Sequence, residues 1–293
     1  MAKVILLQPR LRLLERARTY VDSPELFAAN RERAIRELIK VLPVADSPLR
    51  HKIMILLAGY AKDQALQPLY DILRDEDQLP RTRHYAAIQL CAVLPFVEDS
   101  RAIISLLEQD LISLDPSLRR FATTAMGWQC NDHVFVLLAQ RLRDVDLGVR
   151  LAAVNSLCNC GDTRALPLLL ERLEAAPLEE KRAILFNLWR LERPELQLTH
   201  IYKSYLTDPA PELRLASLAL LAFSQRDGDI SHLIRPCLSD SDHRVRRLAL
   251  ERLMECGSRV LECFEKDIRN LLNDSNMDIK RAALKALRSL EKK

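Results

Sequence analysis

A nine-residue signature that returns about every 32 residues constrains this chain more than any other feature. It runs from a leucine to a basic residue eight positions later: LPVADSPLR (42–50), LISLDPSLR (111–119), LRDVDLGVR (142–150), LTDPAPELR (206–214), LSDSDHRVR (238–246) and LNDSNMDIK (272–280). Two looser copies, LRDEDQLPRTR (73–83) and LEAAPLEEKR (173–182), carry small insertions. The basic anchors are therefore Arg50, Arg83, Arg119, Arg150, Arg182, Arg214, Arg246 and Lys280, at intervals of 33, 36, 31, 32, 32, 32 and 34 residues. A steady period of this size marks an array of stacked units, because one such unit cannot bury its apolar face alone.

Downstream of each anchor the pattern is helical. Apolar residues stand one before, three after and seven after the anchor, as in Val149, Ala153 and Leu157, or Val245, Ala249 and Leu253. That i, i+4, i+8 spacing is one stripe of an amphipathic helix. Ser47-Pro48, Asp115-Pro116 and Asp208-Pro209 place a capping oxygen before a proline at a helix start. Gly161-Asp162, Gly228-Asp229 and Gly257-Ser258 read as a glycine stop followed by the next cap. The segment TRALPLLLERL (163–173) then supplies the second helix of its pair. Only 6 glycines and 5% aromatic residues, with abundant Leu, Ala, Arg and Glu, agree with an all-α chain.

Two helices per unit, with L-x-D-x-D-x-x-V-R leading into a small-residue slot and then Leu, resemble the HEAT-like repeats of the phycobilisome-lyase type. The resemblance covers about residues 24–293. It implies a right-handed α-solenoid of about eight short helix pairs, with the anchored helices lining its concave side. On this reading residues 1–22 hold an N-terminal capping helix. Residues 23–293 form one continuous repeat domain, and SPELFAANRERAIRELIKVL (23–42) is the first helix of the first pair. Tetratricopeptide and ankyrin signatures are absent.

Sequence argues against most enzyme classes. Deoxyhypusine hydroxylase has a similar fold but holds iron through His-Glu pairs, and this chain has no His-Glu dipeptide. No Gly-rich phosphate loop or G-x-S-x-G elbow occurs, and neither a metal nor a cofactor is expected. WQCND (128–132) sets Asp132 four residues after Trp128, a pairing with an echo in the HEAT-like alkylpurine DNA glycosylases. A nucleic-acid-binding protein is therefore the alternative reading, with a bilin lyase-like protein behind it. The seven cysteines are scattered, Cys91 and Cys158 share one repeat slot, and Cys160 and Cys256 share another. They read as reduced packing residues. With no long apolar run, the expected setting is cytoplasmic. The net charge of +4, from 44 basic and 40 acidic residues, is too small to imply a polyanion partner.

A binding surface can be sought where the repeats vary. One position after the anchors stand His51, His84, Arg120, Leu151, Ala183, Leu215, Arg247 and Arg281. Five after stand Ile55, Ile88, Thr124, Asn155, Asn187, Ala219, Glu251 and Lys285. The candidate binding residues are Arg120, Thr124, Trp128, Asn155, Asn187, Arg247 and Arg281, with Asn155 and Asn187 as amides for a peptide backbone. Trp128 would supply an apolar platform, whereas Trp189 falls in a leucine slot and is expected in the core. The expected function is a non-enzymatic scaffold or adaptor that holds a protein partner. The arginine anchors themselves are expected to be structural, each pairing with aspartates of its own or the adjacent repeat.

Overall fold

The computed structural model describes residues 2–193, 196, 198–224 and 231–291, with side chains from residue 11 onward apart from 222–224, 231, 258 and 291. Gly228-Asp229, Lys292 and Lys293 lie outside the described residues. Among those described there are only helices and turns. The chain divides into two compact units, Met1–Cys160 and Gly161–Lys293.

The first unit contains α1 (Ala2–Asp22), α2 (Pro24–Ala29), α3 (Arg31–Val41), α4 (Ser47–Tyr60), α5 (Asp63–Arg74), α6 (Pro80–Val93), α7 (Arg101–Asp110), α8 (Pro116–Ala125), α9 (Asp132–Arg141) and α10 (Leu147–Asn159). The anchored helices α4, α6, α8 and α10 stack on one another in that order, and α3, α5, α7 and α9 each pack against their anchored partner. Two layers result, with Ile53, Met54, Leu57, Leu69, Leu90, Leu107 and Phe121 buried inside the unit. Within the outer layer the Tyr70 hydroxyl of α5 donates to Asp110 of α7 at 2.8 Å, and burial followed by this bond pushes the phenol up to about 12.

The second unit contains α11 (Ala165–Ala175), α12 (Leu178–Leu188), α13 (Thr199–Tyr205), α14 (Pro211–Ser224), α15 (Ser231–Ile234), α16 (His243–Glu255), α17 (Ser258–Cys263), α18 (Glu265–Asn270) and α19 (Met277–Glu291). Here α12, α14, α16 and α19 stack in order. Val245, Ala249, Leu253, Ile279, Ala283 and Leu287 are all buried in one cluster. The stripe one before, three after and seven after the anchor is thus the buried stripe. Small residues at its middle position let neighbouring helices approach closely.

Several local readings need correction. Residues 23–42 are not one helix: Asn30, at φ −124° and ψ 25°, closes α2 through its backbone N–H and starts α3. Asp46 rather than Ser47 caps α4, accepting from the Leu49 N–H at 2.9 Å. Asp208 accepts from Ala210, and α14 starts only at Pro211. Asp115 caps α8 as expected, through the Ser117 N–H at 2.8 Å. Gly161 has φ +62° and Gly257 has φ +91°, the left-handed backbone that a glycine stop requires.

The anchor arginines make two kinds of bond. A helical side chain leans toward the N-terminus, so the guanidinium reaches back over the turn before its own helix. There Nη1 donates to two carbonyls: Ser113 and Leu114 for Arg119, Asp144 and Val145 for Arg150, Asp208 and Pro209 for Arg214, Asp240 and Ser241 for Arg246. The Nε and Nη2 edge of three of them forks onto an aspartate of the following repeat. Arg119 meets Asp144 at 2.9 and 2.8 Å, Arg214 meets Asp240 at 2.8 and 2.6 Å, and Arg246 meets Asp274 at 2.7 and 2.8 Å. Each aspartate also accepts the backbone N–H two residues on, from Asp146, Asp242 and Asn276 respectively, which shapes the turn. The inter-repeat pairing read from the sequence is present, with one refinement. The carboxylates of Asp240 and Asp242 do not pair with Arg246: the first serves Arg214 and the second caps α16 and pairs with Arg244.

Arg182 is not an anchor. It is exposed, whereas Glu180, Ile184, Leu185, Asn187 and Leu188 are buried. That burial pattern matches the other repeats when Lys181 takes the anchor place. Glu180, standing where Val149 and Val245 stand, is fully buried and held by Arg172 at 2.8 Å. The register of this repeat therefore slips by one residue, and Trp189, one beyond the leucine slot, is exposed rather than core.

Two outcomes test the Arg–Asp forks. Arg214→Met leaves the nearly buried Asp240 without its cation and is expected to lower unfolding free energy by about 3 kcal/mol in a denaturant titration. The acid response carries the second. The hydrogen bond from Arg246 holds Asp274 below its usual range against the opposing effect of burial. For Asp144 and Asp240, burial pushes upward but is outweighed by the arginine and backbone hydrogen bonds. A carboxylate depressed in the folded state contributes stability that is complete above the unfolded value of about 3.9 and is lost as pH falls through the folded one. Thermal melts between about pH 2 and 5 should therefore show a shallower acid loss for Asp240→Asn than for the parent chain.

Candidate functional site

In the first unit the anchored helices differ from the others in charge. Between them α4, α6, α8 and α10 hold Arg50, Lys52, Arg81, Arg83, Arg119, Arg120, Arg150, His51 and His84, and not one Asp or Glu. Most of these cations are engaged. Arg50, Arg83, Arg119 and Arg150 bond turn carbonyls or ladder aspartates, and Lys52 pairs with Asp22 at 2.9 Å. Arg81 and Arg120 have no ion pair among the described residues.

A continuous row of side chains crosses this face. The rings of His51 on α4 and Tyr85 on α6 lie 4.7 Å apart. His84 on α6 stands 6.0 Å from Phe121 on α8, whose buried ring carries Arg83 at 5.1 Å and Arg120 at 5.0 Å. Arg120 then leans over the start of α10, where a Cβ at Gly148 would come within 3.2 Å of its Cδ. Glycine there gives the arginine stem its room. Arg120 Nε and His84 Nδ1 are shut from solvent with no hydrogen-bond partner. Burial, and then the charge of Arg120, hold the imidazole of His84 below its ordinary range, so it is neutral at pH 7. Beside the row, at the position five after the anchor, Ile55 is 51% and Ile88 40% exposed.

The sequence-predicted residues separate into distinct environments. Thr124 is half-buried and donates its hydroxyl to the Arg120 carbonyl at 3.0 Å. Asn155 is exposed on α10. Trp128 is 46% exposed but does not share a helix with Asp132: α8 ends at Ala125, and α9 begins at Asp132 behind the cap Asn131. The helical Trp–Asp pairing suggested by WQCND is therefore not formed. Tight contacts hold the Trp128 turn. A Cβ at Gly127 would meet Ser156 Oγ at 2.7 Å, and that hydroxyl donates to the Thr123 carbonyl at 3.0 Å.

Cys130 and Cys160, 30 residues apart in sequence, form a disulfide that joins the turn after α8 to the end of α10. This corrects the expectation of uniformly reduced thiols, and no spacing motif signals the bond because the two cysteines sit in different repeats. Cys91 and Cys158 are buried packing residues, whereas Cys256 and Cys263 are exposed.

In the second unit, Asn187 is buried, not displayed. Its Nδ2 donates to the Ala183 carbonyl at 2.8 Å and its Oδ1 accepts from Arg190 at 2.5 Å. The one-residue slip puts Phe186, 57% exposed, in the variable slot instead. Arg247 is exposed and paired with Glu251 at 2.9 Å, and Arg281 is exposed with Asp278 at 3.6 Å. Arg247 and Glu251 line a shallow depression with His243, Arg244, Asn276 and Asp278. Among the described residues no three His, Cys, Asp or Glu side chains are grouped to hold a metal, and no helix is long and apolar enough to cross a membrane.

Residues 100–189 match the family model for HEAT repeats. No curated protein matches. Among known structures, a homology model of the full-length AP-3 complex in an intermediate open conformation has a chain 16% identical, with TM-score 0.60, 96% of this chain covered and 54% of the other. YIBA_ECOLI is 16% identical with TM-score 0.53, over 85% of this chain and 98% of its own. The complex of CpcE and CpcF of phycocyanin lyase from Nostoc is 21% identical over 77% of this chain and 94% of that one, with TM-score 0.44. The chain spans about half of the AP-3 chain it matches. At these identities the likeness to the AP-3 chain and to YIBA_ECOLI shows the fold alone: an all-α HEAT-repeat solenoid.

The corrected register of α12 has its own test. Asn187→Ala removes two partly buried hydrogen bonds and is expected to cost about 1–3 kcal/mol in urea unfolding. Phe186→Ser, at the exposed neighbour, is expected to change stability by less than about 0.5 kcal/mol. The opposite ranking would return the anchor place to Arg182.

Proposed function

We propose that this chain is a non-enzymatic scaffold or adaptor that binds a protein partner on the face of its anchored helices, the concave side in the resembled family. One observation carries the reading. Apolar side chains are exposed at the repeat-aligned position of adjacent helices, Ile55 on α4 and Ile88 on α6, on a face whose own helices carry cations and no acid. Exposed apolar groups aligned with polar and charged ones are the usual composition of a recognition surface. Such a surface needs neither a cofactor nor a metal, and a cytoplasmic setting is proposed alongside it.

Nucleic-acid binding is the competing class and makes a different demand. Affinity for a phosphate backbone rises with the number of free cations, and here most cations of the face are tied to the protein itself. The full chain, immobilised and incubated with lysate of its source cells, is expected to retain one protein in stoichiometric amount, identified by mass spectrometry. A labelled duplex or single-stranded oligonucleotide is expected to show no salt-sensitive gel shift. A gel shift without a retained protein would reverse the assignment.

A further inference from the structure

The charge of the anchored face in the first unit deepens the reading above and rests on it. We propose that this face takes an acidic, extended segment of the partner chain, with Arg81 and Arg120 receiving its carboxylates and Ile55, Ile88 and Trp128 contacting its apolar side chains.

The argument begins with what the two arginines lack. Of the seven Lys and Arg residues on the four helices, five are committed to carbonyls or carboxylates of the fold. Arg81 and Arg120 are left over. Arg120 is also the more ordered of the two: its stem lies over the Phe121 ring and the glycine at the start of α10, so its guanidinium is already held in one place. A planar guanidinium positioned in advance loses little freedom when it forks onto a carboxylate. Arg81 belongs to the same face, because residues 81, 84 and 85 are spaced i, i+3 and i+4 on α6.

The apolar positions decide between a polypeptide and a polyphosphate. Ile55, Ile88 and Trp128 are exposed; Ile55 and Ile88 stand one helical turn beyond His51 and His84, and Trp128 lies in the turn after α8. The bases of a nucleic acid can stack on Trp128 but find no aromatic plane at Ile55 and Ile88, whereas a chain that mixes acidic and apolar side chains satisfies both sets. Spacing agrees. Packed helix axes lie roughly 9–10 Å apart, and an extended chain rises about 3.3 Å per residue, so each helix crossed takes about three residues. Crossing α4, α6, α8 and α10 thus takes about a dozen.

A fluorescein-labelled twelve-residue peptide, Glu-Glu-Leu repeated four times, tests this with the full chain by fluorescence anisotropy. Its controls are the Gln-Gln-Leu peptide and a single-stranded DNA of twelve nucleotides. Saturable binding of the glutamate peptide is expected, about tenfold tighter than that of either control, and weakened about tenfold by Arg81→Ser with Arg120→Met. Arg269→Ser, on an outer helix of the second unit, should leave it unchanged. Circular dichroism melts accompany each variant, and if Arg120→Met melts early, Arg81→Ser alone, at an exposed site, must still weaken binding about threefold. The proposal is overturned by no saturable binding of the glutamate peptide, by equal binding of the glutamine peptide, by tighter binding of the DNA, or by indifference to the arginine variants. Those failures are separable from failure of the scaffold reading, since a native partner retained equally by parent and double variant removes only the acidic-segment assignment.

Discussion

The bidentate contact between an arginine at the start of one helix and an aspartate in the turn of the next repeat is the interaction on which the rest of the architecture depends. A cation in the first turn of a helix stands at the partially positive end of the macrodipole, which by itself is mildly unfavourable. Arg119, Arg214 and Arg246 offset that cost by reaching backward. There they meet carbonyl oxygens on one side and a carboxylate on the other, so every part of the guanidinium fork has an acceptor. The aspartate is equally occupied, receiving the fork and a backbone N–H of its own turn. One pair of residues therefore shapes a turn and sets the spacing to the next helix.

That arrangement determines where function can sit. The anchor position is used up by the fold, and the positions three and seven beyond it are buried. Variation is left to the residues one and five beyond the anchor. In the first unit these are histidine, arginine, leucine, isoleucine, threonine and asparagine; in the second, Arg247 and Glu251 neutralise each other. Two units built on one repeat thus present surfaces of different charge character. The first has cations with no acid on their helices, and the second has pairs.

Much of the fold was legible in the sequence because Leu, Asp and Arg recur at fixed offsets, and each offset corresponds to a physical role. Arg246 could be assigned a structural place from its spacing alone. Its actual partner, Asp274, could not be separated from Asp240 and Asp242, since all three are within reach of a long side chain. LEAAPLEEKR failed for a clearer reason. Lys181 and Arg182 are adjacent and equally basic, and Glu180 occupies a slot that elsewhere holds an apolar residue, so composition favoured the wrong anchor. Its burial depends on Arg172, eight residues away on another helix. That error moved Asn187 onto the surface and Trp189 into the core, the reverse of where they lie. Cys130 and Cys160 were opaque for a related reason, because neither is near the other until α8 and α10 have stacked.

The forks also bear on how such a chain reaches its fold. Arg119 and Asp144 are 25 residues apart, Arg214 and Asp240 are 26, and Arg246 and Asp274 are 28. Every rung thus closes a loop of about one repeat, and the entropy of closure is nearly the same each time. No rung has to wait for a remote segment to arrive. Structure can begin at whichever helix pair forms first and extend in either direction within its unit, so the same local chemistry that fixes the stacking distance also keeps the search short.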